Sequence, residues 1–232
     1  VGDVHSCSKP LLQILRENDS PHTYWVFSGD LFDRGPDPVG VWEMVQDLLS
    51  DGRATIVTGN HEVNLRSVNR NTASARFADT RVTRDALLSI GGNAAQQAAF
   101  VDATVPALLV NTVGHQWLVT HGGVGEATAE RIRSGSLLHV SDAECVYGLA
   151  DISHSYRAKT SYDFAGLPLA GFQVHGHRNG ALGEDPVPVV RLGVGGPVVC
   201  LESGASQGGS VSVATLDDTL GADVIVNRYR DG

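Results

Sequence analysis

The chain lacks most of what would commit it to a membrane, a disulfide framework or a polyanion. None of its 232 positions opens an apolar run of 18 residues, which leaves no candidate for a membrane-spanning helix. Cysteine is scarce, and Cys7, Cys145 and Cys200 are an odd number at wide spacing. That fits reduced thiols in a reducing compartment, with cytoplasm the expected location. Basic residues are few, 17 Lys and Arg against 26 Asp and Glu for a net charge of −9. They form no cluster, so extended nucleic acid is a poor partner and small or flexible substrates are favoured. The chain opens on Val1 rather than Met, and further residues are expected to precede it, completing a strand that ends at Asp3 and His5.

What is present is apolar bulk. At 42% hydrophobic and 19% charged residues the chain can bury one sizeable core, and a single domain over 1–232 is expected. Leu11, Leu12, Ile14 and Leu15 recur at helical spacing between Pro10 and Glu17, as do Val41, Trp42, Val45, Leu48 and Leu49 between Pro38 and Leu49. Trp25–Phe27, Ala54–Val57 and Trp117–Val119 read as buried strands. Asn69 to Pro106, rich in Ala, Arg and Thr, is expected to form helices that roof a cleft and govern substrate choice. After His177, the runs Val187–Leu192, Pro197–Leu201, Ser210–Leu216 and Ala222–Tyr229 read as successive antiparallel strands.

Five glycine-containing segments follow one another: Gly2-Asp3-Val4-His5, Gly29-Asp30-Leu31-Phe32-Asp33-Arg34-Gly35, Gly59-Asn60-His61-Glu62, His121-Gly122-Gly123 and Gly176-His177. Each offers carboxylate, imidazole or amide groups, and several end an apolar run. A strand followed by such a turn delivers its side chains to the carboxyl edge of a sheet, so the five converge. Together they contain ligands for two metal ions, of oxygen and nitrogen type that suits Mn, Fe or Zn.

In this order the segments resemble the signature of the calcineurin-like metallophosphoesterases, in the branch that contains phosphoprotein phosphatases, lambda phage phosphatase, diadenosine tetraphosphatases and the phosphatase module of polynucleotide kinase-phosphatases. The likeness runs from Gly2 to about Gly209 and implies an α/β fold, a two-sheet sandwich flanked by helices in αββα layers. It also implies that Asp3, His5 and Asp30 hold one metal while Asp30, Asn60, His121 and His177 hold the other, with Asp30 bridging. The expected ions are two divalent cations, Mn first, with Fe or Zn as alternatives. Such a pair clamps a phosphoryl group and lowers the pKa of a shared water, giving hydroxide for in-line attack on phosphorus.

The resemblance assigns His61 as general acid, Asp33 as the carboxylate that orients it, and Arg34 as a fork on the phosphate oxygens. Asn60 and Arg66 are further candidates for contact with substrate. The expected activity is a serine/threonine-type phosphomonoesterase acting on a phosphorylated peptide or small phosphoester. Dinucleoside polyphosphate hydrolysis or nucleic-acid end processing is the enzymatic alternative, and a non-catalytic metal scaffold the remaining one.

Several positions have plainer readings. In His175-Gly176-His177-Arg178-Asn179 the Gly-His step selects His177 as ligand, and Asn179 stands where many superfamily members carry a further histidine. Glu62 reads as support for its motif, Cys200 as core, and His22, His115, His139, His154 and Arg157 as surface or loop residues. Leu201 to Gly209 resembles the late strand-turn of bacterial and phage members, although its glycines equally suit a hairpin.

Overall fold

The computed structural model describes residues 1–70, 77–136, 142–148, 169–177, 188–217 and 224–230. His139, His154, Arg157, Arg178 and Asn179 lie outside them. Both expected early helices form. α1 (Ser8–Asn18) turns Leu11 and Ile14 inward. α2 (Pro38–Ser50) starts on proline, which needs no partner for its missing N–H there, and Asp37 caps it by accepting the Gly40 N–H at 2.9 Å. The short strands β1 (Trp25–Phe27) and β2 (Ala54–Ile56) pair in parallel. α3 (Asn60–Asn69) follows β2 directly, and the stretch from Asn69 to Pro106 supplies the expected helices, α4 (Ala78–Ser89) and α5 (Ala94–Asp102). α5 opens with a reciprocal box in which Asn93 and Gln96 each accept the other's backbone N–H.

The second half begins with a hairpin that the sequence reading did not separate: β3 (Ala107–Thr112) and β4 (His115–Thr120) turn at Val113–Gly114, with Gly114 at φ +84°. α6 (Glu126–Arg133) and α7 (Asp142–Tyr147) follow, then β5 (Gln173–His175), β6 (Val189–Gly193), β7 (Gly196–Cys200), β8 (Val211–Thr215) and β9 (Ile225–Tyr229).

The expected run of four successive antiparallel strands is corrected here. β6–β7 and β8–β9 are antiparallel hairpins, but β7 lies parallel to β5 in a five-stranded sheet of order β3-β4-β5-β7-β6. The chain then leaves that sheet. Gly204 and Gly208 both adopt positive φ, and this turn carries the backbone to the other layer, where Gly2 N–H donates to Ser212 O at 2.8 Å. Val1 in turn accepts from Ser28 N–H at 2.9 Å, so Val1–Gly2 links β1 to β8. Alternation marks a strand, whereas its neighbour depends on where the connections lead.

Side-chain alternation sorts the molecule into αββα layers. Trp25, Phe27, Ala54, Ile56, Val211 and Val213 pack against α1, α2 and residues of α3 and α5. Val26 and Ala214, on the opposite faces of those strands, meet Trp117, Val119, Val174 and Val199 between the two sheets. Leu118, with the reverse parity in β4, packs with Ala129, Ile132 and Cys145 on the outer side. The layered architecture expected from the sequence, a sandwich flanked by helices, is observed, with one layer the five-stranded sheet and the other the two pairs β1-β2 and β8-β9 linked through Val1–Gly2. No described helix is long and apolar enough to cross a membrane.

Candidate active site

Apart from Asp3–Ser6, which precede α1, the motifs begin where strands end: Ser28–Asp30 after β1, Thr58–Asn60 after β2, His121 after β4, Gly176–His177 after β5 and Glu202 after β7. Seven non-glycine residues adopt positive φ among the described residues, and six belong to these turns: His5, Ser6, Asp30, Asp33, Arg34 and His177, between +46° and +69°. Side chains in that region are strained, and such strain concentrates where the surroundings hold a working geometry. Close backbone approach explains the adjoining glycines. A Cβ on Gly59 would lie 2.4 Å from the Asp30 amide nitrogen, and one on Gly176 would lie 1.9 Å from Asp3 Oδ1.

Asp30 is the hub. Its Oδ1 lies 3.3 Å from His121 Nε2, and its Oδ2 lies 3.9 Å from both His5 Nε2 and His61 Nε2. Burial pushes its carboxyl pKa up, but the charges of His121, His61 and His5 outweigh this and hold it well below the usual range. Glu62 builds the scaffold beneath, accepting the backbone N–H groups of Asp30, Leu31 and Gly59 at 2.9–3.0 Å. That is the supporting role expected of it. Burial, and next the charge of Asp30, raise the pKa of Glu62.

Donor accounting shows that the site suits cations. His121 Nδ1 faces Ser28 O at 2.7 Å and must donate there, which turns Nε2 toward two more acceptors, Asp30 Oδ1 and Asn60 Oδ1 at 3.1 Å. Only a second proton or a metal ion makes that arrangement favourable. Burial lowers the His121 pKa, but Asp30 and then Glu62 carry it above the ordinary value, so the proton stands in for the cation. His5 shares only the anchored nitrogen: Nδ1 faces Phe32 O at 3.1 Å, while Nε2 accepts from the Arg34 guanidinium at 3.1 Å as a neutral ring does. A ring nitrogen fixed by a backbone carbonyl, with its partner nitrogen aimed inward, is the usual support of a metal-binding histidine.

Two histidine–carboxylate groups bring their ligand atoms within 4.8 Å of one another around Asp30, His5–Asp30–His61 and Asp30–His121–His177. A third contains Asp3, His5 and Glu202. The Asp3 carboxylate also accepts the His177 backbone N–H at 3.1 and 3.2 Å. Burial first, then Glu202 and Asp30, push the Asp3 pKa well up, because two buried carboxyl groups in contact need a proton or a cation between them. The donor set therefore fits divalent metal ions.

Beside this cluster stands a histidine–carboxylate pair. His61 Nδ1 lies 2.7 Å from Asp33 Oδ2, while the buried His61 Nε2 has no hydrogen-bond partner. Burial lowers the His61 pKa, but Asp30 and Asp33 outweigh it and raise the net value. Burial likewise raises Asp33, and hydrogen bonds from His61, Thr80 and Thr83 bring it below its ordinary value.

A family model described as calcineurin-like phosphoesterase matches residues 1–225. The chain belongs to the calcineurin-like phosphoesterase family. Within it, a symmetrical bis(5'-nucleosyl)-tetraphosphatase of Ralstonia nicotianae is 36% identical over 88 residues, which are 38% of this chain and 30% of that protein. Serine/threonine-protein phosphatase 1 of Salmonella typhimurium is 44% identical over 64 residues, 27% of this chain and 28% of the relative. These matches thus span about a third of each curated relative or less. A solved structure of a proposed diadenosine tetraphosphatase superposes with a TM-score of 0.63 at 18% identity, covering 100% of this chain and 93% of that one. A Saccharomyces cerevisiae serine/threonine phosphatase superposes with a TM-score of 0.60 at 17% identity, covering 100% and 78%. At such identities the two structures share the phosphoesterase fold.

The remaining sequence candidates fall to either side. The structure brings together Asp3, His5, Asp30, Asp33, Arg34, Asn60, His61, His121 and His177. Arg66 departs from expectation: it lies on α3 with Nε 3.2 Å from Asp102 and Nη2 donating to Val101 O, so its guanidinium ties α3 to the end of α5. An arginine in the last turn of a helix follows that helix's packing. His175 is buried in β5, one residue before the turn. Cys145 is buried, which pushes its thiol up to about 12, and Cys200 is buried in the core, as its apolar neighbours suggested. Glu202, Thr80 and Thr83 were not found by sequence reasoning. Glu202 sat in a glycine-rich stretch open to a hairpin reading, and nothing in a helical Thr-x-x-Thr points to a carboxylate elsewhere.

Proposed function

We propose that this chain is a divalent-metal-dependent phosphohydrolase acting on a small phosphorylated substrate, with a dinucleoside polyphosphate such as diadenosine tetraphosphate in first place. The observation that carries this reading is Asp30, a buried carboxylate that faces His5, His61 and His121 at once beside the His61–Asp33 pair. Asp3, His5 and Asp30 would hold one ion, and Asp30, Asn60, His121 and His177 the other. Mn suits the oxygen and nitrogen donors, as do Fe and Zn. Bound ions would neutralise phosphoryl oxygens and supply a nucleophile from water near neutral pH.

The chain's own groups complete the chemistry. Arg34 offers a planar fork to phosphate oxygens from its position against His5. Asn60 turns its oxygen to His121, leaving its amide N–H groups for the substrate. Burial opposes a charged His61 ring, but Asp30 and Asp33 favour it and raise the pKa, which suits the ring to hold a proton at Nε2. As the P–O bond breaks, that proton passes to the leaving oxygen, and Asp33 keeps the imidazole aimed through Nδ1.

The named tetraphosphatase relatives support the first-ranked substrate, and the net charge of −9 favours compact phosphates over long polyanions. A serine/threonine phosphomonoesterase is the second reading, favoured by the Salmonella relative. The deciding experiment compares kcat/KM of Mn-reconstituted protein on diadenosine tetraphosphate, a phosphothreonine peptide and a nucleoside 2′,3′-cyclic phosphate. Preference for the first supports the ranking and preference for the second reverses it. No turnover of any of the three by protein holding two ions would overturn the enzymatic reading.

A further inference from the structure

Asp33 is held by more than histidine. Thr80 Oγ1 donates to its Oδ2 at 2.5 Å and Thr83 Oγ1 donates to its Oδ1 at 2.7 Å, while His61 Nδ1 shares Oδ2. Both threonines and Asp33 are 2% exposed. Thr80 and Thr83 stand three residues apart on α4, hence on one face of that helix, and their branched side chains have few rotamers. With a donor on each oxygen, the carboxylate plane is fixed, and so is the line from Oδ2 to the imidazole. The constraint matters because Asp33 sits at φ +69°, in a turn whose backbone alone does not lock its side chain. A buried hydroxyl without a partner is costly, so these two threonines fit α4 because Asp33 is there.

We propose that Thr80 and Thr83 are positioning residues for the His61–Asp33 pair, which makes α4 part of the proton-delivery apparatus. This rests on the reading of His61 as general acid. One helix, α3, carries the imidazole near its first turn, and a second, α4, clamps the carboxylate that aims it.

The test is a series of aryl phosphates from p-nitrophenyl phosphate, whose leaving group needs little protonation, to phenyl phosphate, whose leaving group needs more. Thr80→Val, Thr83→Val and the double variant are compared with the parent, with bound metal per chain and Tm measured for each. For the double variant, kcat on p-nitrophenyl phosphate should stay within about 3-fold of the parent, while kcat on phenyl phosphate falls about 10- to 100-fold. KM and metal content should hold, and Thr80→Ser with Thr83→Ser should restore the parent profile. A drop of equal size across the series, or none, overturns the proposal. If the double valine variant fails to fold, the single variants carry the same comparison. His61→Ala in the same series separates the two readings. A uniform drop there removes the general-acid assignment itself, whereas a leaving-group-dependent drop there with a flat response in the threonine variants removes only the role of the threonines.

Discussion

His61 and Asp33 meet at 2.7 Å through Nδ1 and Oδ2, and the opposite ring nitrogen of His61 is buried without a hydrogen-bond partner. One end of the imidazole is committed to orientation and the other is held for a group that arrives from outside. His61→Ala should keep metal stoichiometry at the parent value and lower kcat by about 10²- to 10⁴-fold on esters with poor leaving groups. Equal turnover of mutant and parent on a phosphopeptide or phenyl phosphate, with metal content measured alongside, would sink that role.

Glu62 is the anchor beneath Asp30, since one carboxylate accepts three backbone N–H groups from two motifs. Glu62→Gln keeps the shape but points an amide N–H₂ at donors. A loss of about 3 kcal/mol is expected, which at this chain length lowers Tm by about 6–12 °C. Calorimetry on the chelated protein gives the answer, and an unchanged Tm would show that the three bonds are dispensable.

At His121 and Asp3 protons and metal compete for the same atoms, whereas His61 titrates beside them. His61 and His121 have raised pKa values, each with burial opposing and Asp30 favouring the charged ring, while His5 is lowered by burial. A raised histidine stabilises fully below its unfolded value of 6.5, and that contribution is lost as pH climbs through the folded value. With two raised and one lowered, the metal-free protein should lose stability as pH rises above about 6.5. Metal affinity should move the opposite way, increasing with pH as the protons leave. Titration calorimetry in two buffers of different ionisation heat should register proton release on Mn addition, and a heat independent of buffer would contradict the linkage.

Glu202 reaches the site from β7, and its ligand atoms lie within 4.8 Å of those of Asp3 and His5. Its Oε1 accepts the Gly204 N–H at 2.6 Å, which fixes it in the turn. Glu202→Gln should weaken one of the two metal sites by about 10- to 100-fold and leave the other intact. Two unchanged affinities would place Glu202 outside the metal environment.

Much of this was legible in the linear order of residues. Helical spacing located α1 and α2, apolar runs located β1, β2 and part of β4, and the Gly-Asp, Gly-Asn-His, His-Gly-Gly and Gly-His steps located the turns at the site except the one that carries Glu202. Those signals are local: the period of the backbone, and the need for glycine where chain meets chain, are written in neighbouring residues. Pairing was not legible. β7 reads as the middle of a meander yet lies parallel to β5, because periodicity carries no information about partners.

The sequence by itself supplied oxygen and nitrogen donors at glycine turns after apolar strands, and the order of those motifs, through their resemblance to the calcineurin-like phosphoesterases, carried the αββα class and the family. Only the tertiary structure decided which groups answer one another. It set Arg66 against Asp102, brought Glu202 to Asp3, and laid Thr80 and Thr83 on Asp33. Each of these contacts joins residues far apart in the chain, and their cost or gain arises from burial and donor pairing, which exist only once the layers have closed.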